Sequence, residues 1–243
     1  LIDPGGPLRI PILPQPNDET CGPTSLHAVY QYFGYDISLD EVIAAAQFLP
    51  EGGTLAVFLG LDAIGRGFQA RIYTYNLKMF DPTWANLGAD ALQDKLEQQL
   101  EYKPGKKFAL ATQAYRQFLS RGGEIRFDDP TPSLFSRYFE RNIPILSGLS
   151  ATYLYQNQRE YTDRKNQSVY DDLKGEPMGH FVVLAGYDDA GHIRVCDPYP
   201  ANPISQQHFY DVDPHRLVNA IMLGVLTYDA NLLIIAPKEI ELP

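Results

Sequence analysis

Cys21 is one of two cysteines in the chain and stands in the stretch PQPNDETCGPTSLHAVYQYFG, where an acidic, polar turn gives way to an amphipathic pattern. The first turn of a helix presents unpaired N–H groups and the positive end of the dipole, a setting that favours a thiolate. A free cysteine is equally one of the most commonly buried small residues. Taken alone, Cys21 fits a nucleophile and a core filler alike, and the neighbouring Asp18 and Glu19 oppose a thiolate unless they point away. A nucleophile needs a base, and the chain has five histidines. His27 lies six residues along the same helix and so faces elsewhere; His192 and His215 follow turn and helix-start signals that predict exposure; His208 sits in a polar stretch that excludes nothing. His180 differs, because it opens the apolar run HFVVLAGY directly after EPMG, where a strand end can carry a side chain into a cleft. Its plain alternative is a satisfied core histidine.

A base works best when a third group fixes its tautomer and supports the imidazolium. Asp197 closes the next strand, HIRVCD, and Asp-Pro at a strand end is also an ordinary turn starter. If Asp188 to Gly191 form a hairpin turn, the end of the second strand returns beside the start of the first and brings Asp197 next to His180. Acyl transfer further requires donors for a developing oxyanion. Gln15, six positions before Cys21, can offer its side-chain amide beside the Cys21 backbone N–H.

The elements that must hold these residues follow from pattern and punctuation. Residues 1 to 20 are Pro-rich and read as an extended lead-in. Leu26, Val29, Tyr30 and Phe33 recur at helical spacing up to Gly34, SLDE at 38–41 is a capping box for a helix to about Phe48, and Thr54 can cap a third helix ending near 65–67. FQARIYTY alternates as a strand. Helices are expected at about 90–102 and 107–120, a short strand at GGEIRFD, a helix capped by Thr131 with Pro132 at its first position, and a strand at IPILSGLS. Residues 151–178 show no period and read as a long, Tyr-studded loop, of the kind that is usually functional or disordered. The hairpin, a capped helix at DVDPHRLVNAIML and a final strand LLIIAP complete the chain. A helical first half and a sheet-rich second half give an α+β fold with two lobes meeting at a cleft.

Composition narrows the function. With 20 Lys+Arg against 30 Asp+Glu, a formal charge of −10 removes the attraction to phosphates that drives nucleic-acid binding, so neither nucleic acid nor an anionic membrane is an expected partner. The apolar runs fall far short of the roughly 20 residues that span a bilayer, and no signal-peptide pattern opens the sequence. A soluble chain is expected, with the cytoplasm somewhat favoured over export, although the sequence does not start with Met and a removed leader stays open. Two cysteines make neither a disulfide framework nor a thiolate metal site, and no metal or cofactor is expected. Sixteen Tyr and 12 Phe suit a core and a peptide-sized cleft.

The pattern Q-x5-C-G-P-T-S opening a helix, followed about 160 residues later by G-H-F-V-V-L-x-G-Y-D and V-x-D-P, resembles the papain-like cysteine peptidases of the bacteriocin-leader type, which cut after double-glycine leaders, and their peptidase-like relatives. The resemblance implies a papain-like fold in which a helical N-terminal lobe carrying the nucleophile packs on a C-terminal antiparallel sheet lobe. It implies catalytic roles for Cys21 as nucleophile, His180 as base, Asp197 as its orienter and Gln15 at the oxyanion hole. The motifs cover roughly residues 12–65 and 178–236; the expected organisation is one domain over 1–243, with a nucleophile lobe at about 12–65, a helical addition at about 76–130 and a sheet lobe at about 143–236. Residues 76–130 and 151–178 look like additions to a minimal leader peptidase, so the substrate does not carry over.

Three functions are compatible with these residues: a thiol hydrolase cleaving a peptide or isopeptide-like amide through a Cys21 thioester, a γ-glutamyl or peptidyl transferase using the same site, and a peptide-binding module without chemistry. The partner is a peptide or small amide. A Cys21–Cys196 redox pair is a further possibility, opposed by strand alternation, which turns Cys196 away from Asp197 into the core. Tyr153, Tyr155, Tyr161 and Tyr170 are candidate cleft or lid residues or else loose surface tyrosines, and EGG at 51–53 reads as a turn between helices. Oligomeric state has no signature in the sequence.

Overall fold

The computed structural model describes residues 6–163 and 168–243, so residues 1–5 of the expected lead-in and 164–167 of the expected Tyr-rich loop lie outside the described residues. The lead-in runs extended along the sheet, with Leu8 N donating to Ala185 O at 2.6 Å and Gln15 N to Pro198 O at 2.8 Å. Helix α1 spans Cys21–Tyr32 and is buried from Cys21 through Tyr30. α2, Leu39–Ala45, has the expected Ser38/Glu41 capping box but ends three residues before Phe48. α3, Ala56–Gly65, is entered through Leu55 rather than capped by Thr54. The Thr54 hydroxyl donates instead to Gln47 O at 2.7 Å, tying down the turn between α2 and α3.

β1 is Phe68–Thr74, α4 is Ala89–Gln98 with a 3-10 turn at Gln99–Glu101 behind it, α5 is Lys106–Ser120 and β2 is Glu124–Arg126. α6, Pro132–Phe139, starts as read, with the Thr131 side chain accepting from Leu134 N. β3 is Ile145–Ser150. The stretch expected to be one long loop is partly ordered: Ser150 caps a short helix α7, Ala151–Tyr155, and β4, Glu160–Thr162, pairs with β5, Ser168–Tyr170. Five-residue helices and three-residue strands are too short to show a period. β6, Gly179–Tyr187, and β7, Ile193–Cys196, form the expected hairpin across Asp188–Gly191, and β8, Phe209–Val212, α8, Pro214–Leu223, and β9, Asn231–Pro237, close the chain.

Seven strands form one sheet in the order β2-β1-β9-β3-β6-β7-β8. β1 and β2 are parallel, and the remaining pairs are antiparallel. The N-terminal half therefore contributes two strands to the same sheet as the C-terminal half, joined through the β1–β9 register from Phe68↔Pro237 to Thr74↔Asn231. Side chains alternate between two cores. Phe181, Val183 and Leu233 pack with Leu26, Val57 and Phe118 from α1, α3 and α5 on one face. Val182, Leu184 and Leu232 pack with Leu134 and Leu217 from α6 and α8 on the other. β9 is buried on both faces, which accounts for its unbroken apolar run. The α+β class holds. Among the described residues no helix is long and apolar enough to cross a membrane.

Candidate active site

Three elements deliver Cys21, His180 and Asp197 to one place. Cys21 is the first residue of α1, and the start of that helix is fixed on the sheet by Ser25 Oγ, which donates to Phe181 O at 3.1 Å. Gly22 permits the close approach, since a Cβ there would lie 2.5 Å from Thr54 Cγ2 and 3.2 Å from Phe181 Cδ2. His180 is the second residue of β6, and Asp197 follows the last residue of β7. The observed pair Val183↔Cys196, continued by one position, sets Asp197 opposite Val182. His180 shares the Val182 face two residues away, so Asp197 reaches it as a diagonal neighbour. The His180 Nε2 to Asp197 Oδ1 distance is 2.8 Å.

Cys21 and His180 line one cleft, and all three residues are nearly inaccessible, with Cys21 8%, His180 7% and Asp197 0% exposed. Burial alone disfavours the imidazolium, but the Asp197 charge and hydrogen bond, joined by Cys21, outweigh it and push His180 up to about 10. Asp197 is held below the usual carboxylate value: burial works against its charge, and His180, Tyr210 and the Tyr199 amide more than offset it.

Asp197 is gripped by more donors than the sequence revealed. Oδ1 accepts from His180 and from Tyr199 N at 2.8 Å, and Oδ2 accepts from Tyr155 OH and Tyr210 OH, each at 2.7 Å. Both phenols are raised well above their ordinary value, by burial first and then by the Asp197 charge. Tyr210 lies on β8 opposite Val195, again one diagonal from Asp197. The signal that could have found it is the alternation of FYDV, and the signal for Tyr155 is Ser150 as a cap for α7. α7 is tied to the approach to His180 by Ala151 N donating to Met178 O at 2.8 Å and Met178 N to Thr152 Oγ1 at 3.0 Å.

Gln15 enters from the lead-in. Its backbone bond to Pro198 O anchors it beside the residue after Asp197, and its side chain lines a small cavity of about 190 Å³ shared with His180, Tyr155 and Tyr170. Gln15 Nε2 donates to Asn17 O at 3.0 Å, and Oε1 is buried without a hydrogen-bond partner among the described residues. The amide retains a second N–H. A larger cleft of about 610 Å³ opens over Cys21 and His180, walled by Leu49, Phe181 and Met178 and rimmed by the 51–53 turn.

Among the described residues the other histidines are engaged elsewhere. His27 Nε2 meets Ile37 O at 3.1 Å, His192 pairs with Asp188 at 3.2 Å, His208 Nδ1 lies 2.7 Å from the Asp197 carbonyl oxygen, and His215 is exposed. Cys196 packs in the α1-side core with Phe181 and Val183, and burial pushes its thiol up. Cys21 and Cys196 are both free, so the redox pair is not formed; Cys196 lies buried on the face opposite Asp197, as alternation implies. Of the four tyrosines singled out, Tyr155 contacts Asp197, Tyr170 lines the smaller cavity, Tyr161 lies under Lys174 Nζ at 5.9 Å, and Tyr153 OH meets Asn219 at 3.5 Å.

A family model described as the Peptidase_C39 like family matches residues 7–214, a span that contains Gln15, Cys21, His180 and Asp197. The chain belongs to the Peptidase_C39-like family. As a C39-like protein it falls in the papain-like cysteine peptidase superfamily, as the sequence motifs implied. Solved structures similar to this C39-like chain include a double glycine motif protease from an AMS/PCAT transporter in complex with its leader peptide, at 14% identity over 96% of this chain and 95% of that one with a TM-score of 0.45. Another is the peptidase domain of Streptococcus ComA, a bi-functional ABC transporter involved in a quorum sensing pathway, at 12% identity over 95% of this chain and 100% of that one, also with a TM-score of 0.45. A comparison with curated proteins found no match.

Proposed function

We propose that this C39-like protein is a thiol hydrolase that cleaves a peptide or isopeptide-like amide through a thioester on Cys21. The observation that carries the reading is His180, hydrogen-bonded to Asp197 Oδ1 at 2.8 Å and lining the same cleft as Cys21. In this reading Cys21 attacks the substrate carbonyl as a thiolate with the His180 imidazolium as counter-ion. The oxyanion is received by the Cys21 backbone N–H, free of an intrahelical partner at the helix start, and by the Gln15 side-chain amide. The C–N bond breaks as His180 passes its proton to the leaving amine, leaving the thioester. A water then gives its proton to His180 and its oxygen to the acyl carbon, releasing the acid and restoring the Cys21–His180 pair. Asp197 holds the ring through both halves, and its Tyr155, Tyr210 and Tyr199 donors keep its charge directed at Nε2.

The whole chain acts as one unit in this reading, because β1 and β2 complete the sheet that presents His180. The test is acylation by a p-nitrophenyl ester, read both as a stoichiometric burst of nitrophenolate and as an acyl mass increment mapped to Cys21. Decay of the adduct in water supports hydrolysis, and preferential loss to added amines as stable amides would make the protein a transferase. No burst and no adduct on Cys21, in protein that is folded, would leave a peptide-binding module without chemistry.

A further inference from the structure

The cleft holds a second buried carboxylate that the proposed reaction does not use. Asp229 stands in the turn before β9, is 7% exposed, and lines the same cleft as Cys21 and His180. Two glycines on neighbouring strands clear the space around it: a Cβ on Gly179, the residue before His180, would overlap the Asp229 carboxylate, and one on Gly148 would overlap its backbone oxygen. Thr227, whose hydroxyl donates to Gly224 O at 3.2 Å, stands beside the carboxylate at Gly179. Among the described residues no basic side chain forms an ion pair with it. Lys107 and His180 are the basic residues lining the cleft; Lys107 Nζ lies 4.8 Å from the Tyr228 ring centroid, and His180 is paired with Asp197.

A carboxylate can accept about four hydrogen bonds, and a buried one with no cation in ion-pair contact is costly to keep charged. Burial pushes Asp229 up to about 7, so near neutral pH its charge is easily stabilised by an incoming partner. Asp18, Glu19 and Glu51 line the same cleft, so the potential over the opening is negative. A group that satisfies this floor carries positive charge and N–H donors.

Resting on the reading of Cys21 as the nucleophile, we propose that Asp229 is a specificity-determining residue that anchors a cationic group of the substrate, a lysine or arginine side chain or an α-ammonium, beside the scissile amide. The charge-assisted hydrogen bond to the carboxylate selects such substrates over neutral isosteres, and the acidic rim draws them in.

The test uses aminoacyl chloromethyl ketones carrying lysine or norleucine side chains, with the α-amine acetylated or free, and follows alkylation of Cys21 by intact mass and peptide mapping. Acetylated probes read a side-chain cation, and free norleucine reads an α-ammonium. One cationic form should react faster than acetylated norleucine by about tenfold or more, and Asp229→Asn should bring that ratio close to one. Lys107→Met, which removes the competing positive charge together with its contact on the Tyr228 ring and leaves Asp229 in place, should raise the ratio. The same preference is measured without chemistry in Cys21→Ala protein, by NMR titration with acetyl-lysine methylamide, norleucine amide and acetyl-norleucine methylamide. A cation preference in Cys21→Ala that Asp229→Asn abolishes sustains the anchor even if the thiol proves unreactive and the hydrolase reading fails. Rapid alkylation by all probes alike, or a preference that survives Asp229→Asn in protein with native circular dichroism, overturns the anchor and leaves the hydrolase reading intact.

Discussion

Replacing Tyr210 by Phe removes one of two hydroxyl donors to Asp197 Oδ2 and nothing else of consequence, because the ring stays to fill its place in the β8 packing. Tyr210 is 6% exposed and Asp197 0%, so no water replaces the lost donor at once. A hydrogen bond to a buried charged group contributes about 1.5–3 kcal/mol, and Tyr155 still supplies Oδ2 with one donor, so a loss of about 2 kcal/mol is expected. With a urea m-value of about 3 kcal/mol/M for a chain of this size, the midpoint should fall by roughly 0.7 M at unchanged slope. The loss has a pH signature. Asp197 is held below its ordinary value, so the stabilisation is present above about 3.8 and vanishes as the carboxyl protonates below that. Urea titrations stepped down from pH 7 should therefore show the effect of Tyr210→Phe shrinking once the native carboxyl protonates. Tyr155→Phe with Tyr210→Phe leaves Oδ2 without a hydroxyl donor and should lose more than the sum of the two single changes. A loss below about 0.5 kcal/mol at pH 7, or one that stays the same down to the pH at which the protein unfolds in acid, would refute the reasoning that these phenols sustain a buried carboxylate.

Other consequences are measurable on the same protein. His180 is raised from 6.5 to about 10, so its contribution to stability is complete below pH 6.5 and lost as pH rises through 10; His180→Gln should flatten thermal stability across that window. Asp229 is an acid raised from 3.8 to about 7, so it makes the native state lose stability as pH climbs between those values; Asp229→Asn should be the more stable protein at pH 8, by a few kcal/mol, with the difference gone by pH 4 in denaturant titrations. Ser25→Ala deletes the bond to Phe181 O that seats the start of α1, and should slow Cys21 acylation while lowering stability by about 1 kcal/mol. Gln15→Ala should reduce acylation by an ester about 100-fold yet leave alkylation by iodoacetamide, which passes through no oxyanion, nearly unchanged.

The nucleophile segment was legible because a small set of local rules agree there: an acidic turn, a cysteine at the helix start and apolar spacing up to Gly34. The His180–Asp197 pairing was legible because a four-residue turn fixes which strand ends meet, although the contact is diagonal rather than directly across. Thr54 misled because α3 begins one residue later than the pattern implies: Leu55 is its N-cap, and the Thr54 hydroxyl donates to the Gln47 carbonyl instead. The tyrosine grip on Asp197 was hidden for a different reason. Tyr155 and Tyr210 belong to elements of five and four residues, too short to declare themselves, and their role exists only once β8 lies beside β7. Asp229 was invisible for the same cause on a larger scale, since the cleft floor is made by β3, β6 and the turn before β9 coming together across more than 80 residues of chain.

The central claim is that His180 keeps its proton and faces Cys21, and the pH profile of Cys21 alkylation by iodoacetamide tests it most directly. For the wild-type protein the account predicts alkylation at pH 6 at least about tenfold faster than for His180→Ala, whose rate should fall the more steeply between pH 8 and pH 6. A wild-type profile that falls as steeply as that of His180→Ala would contradict it.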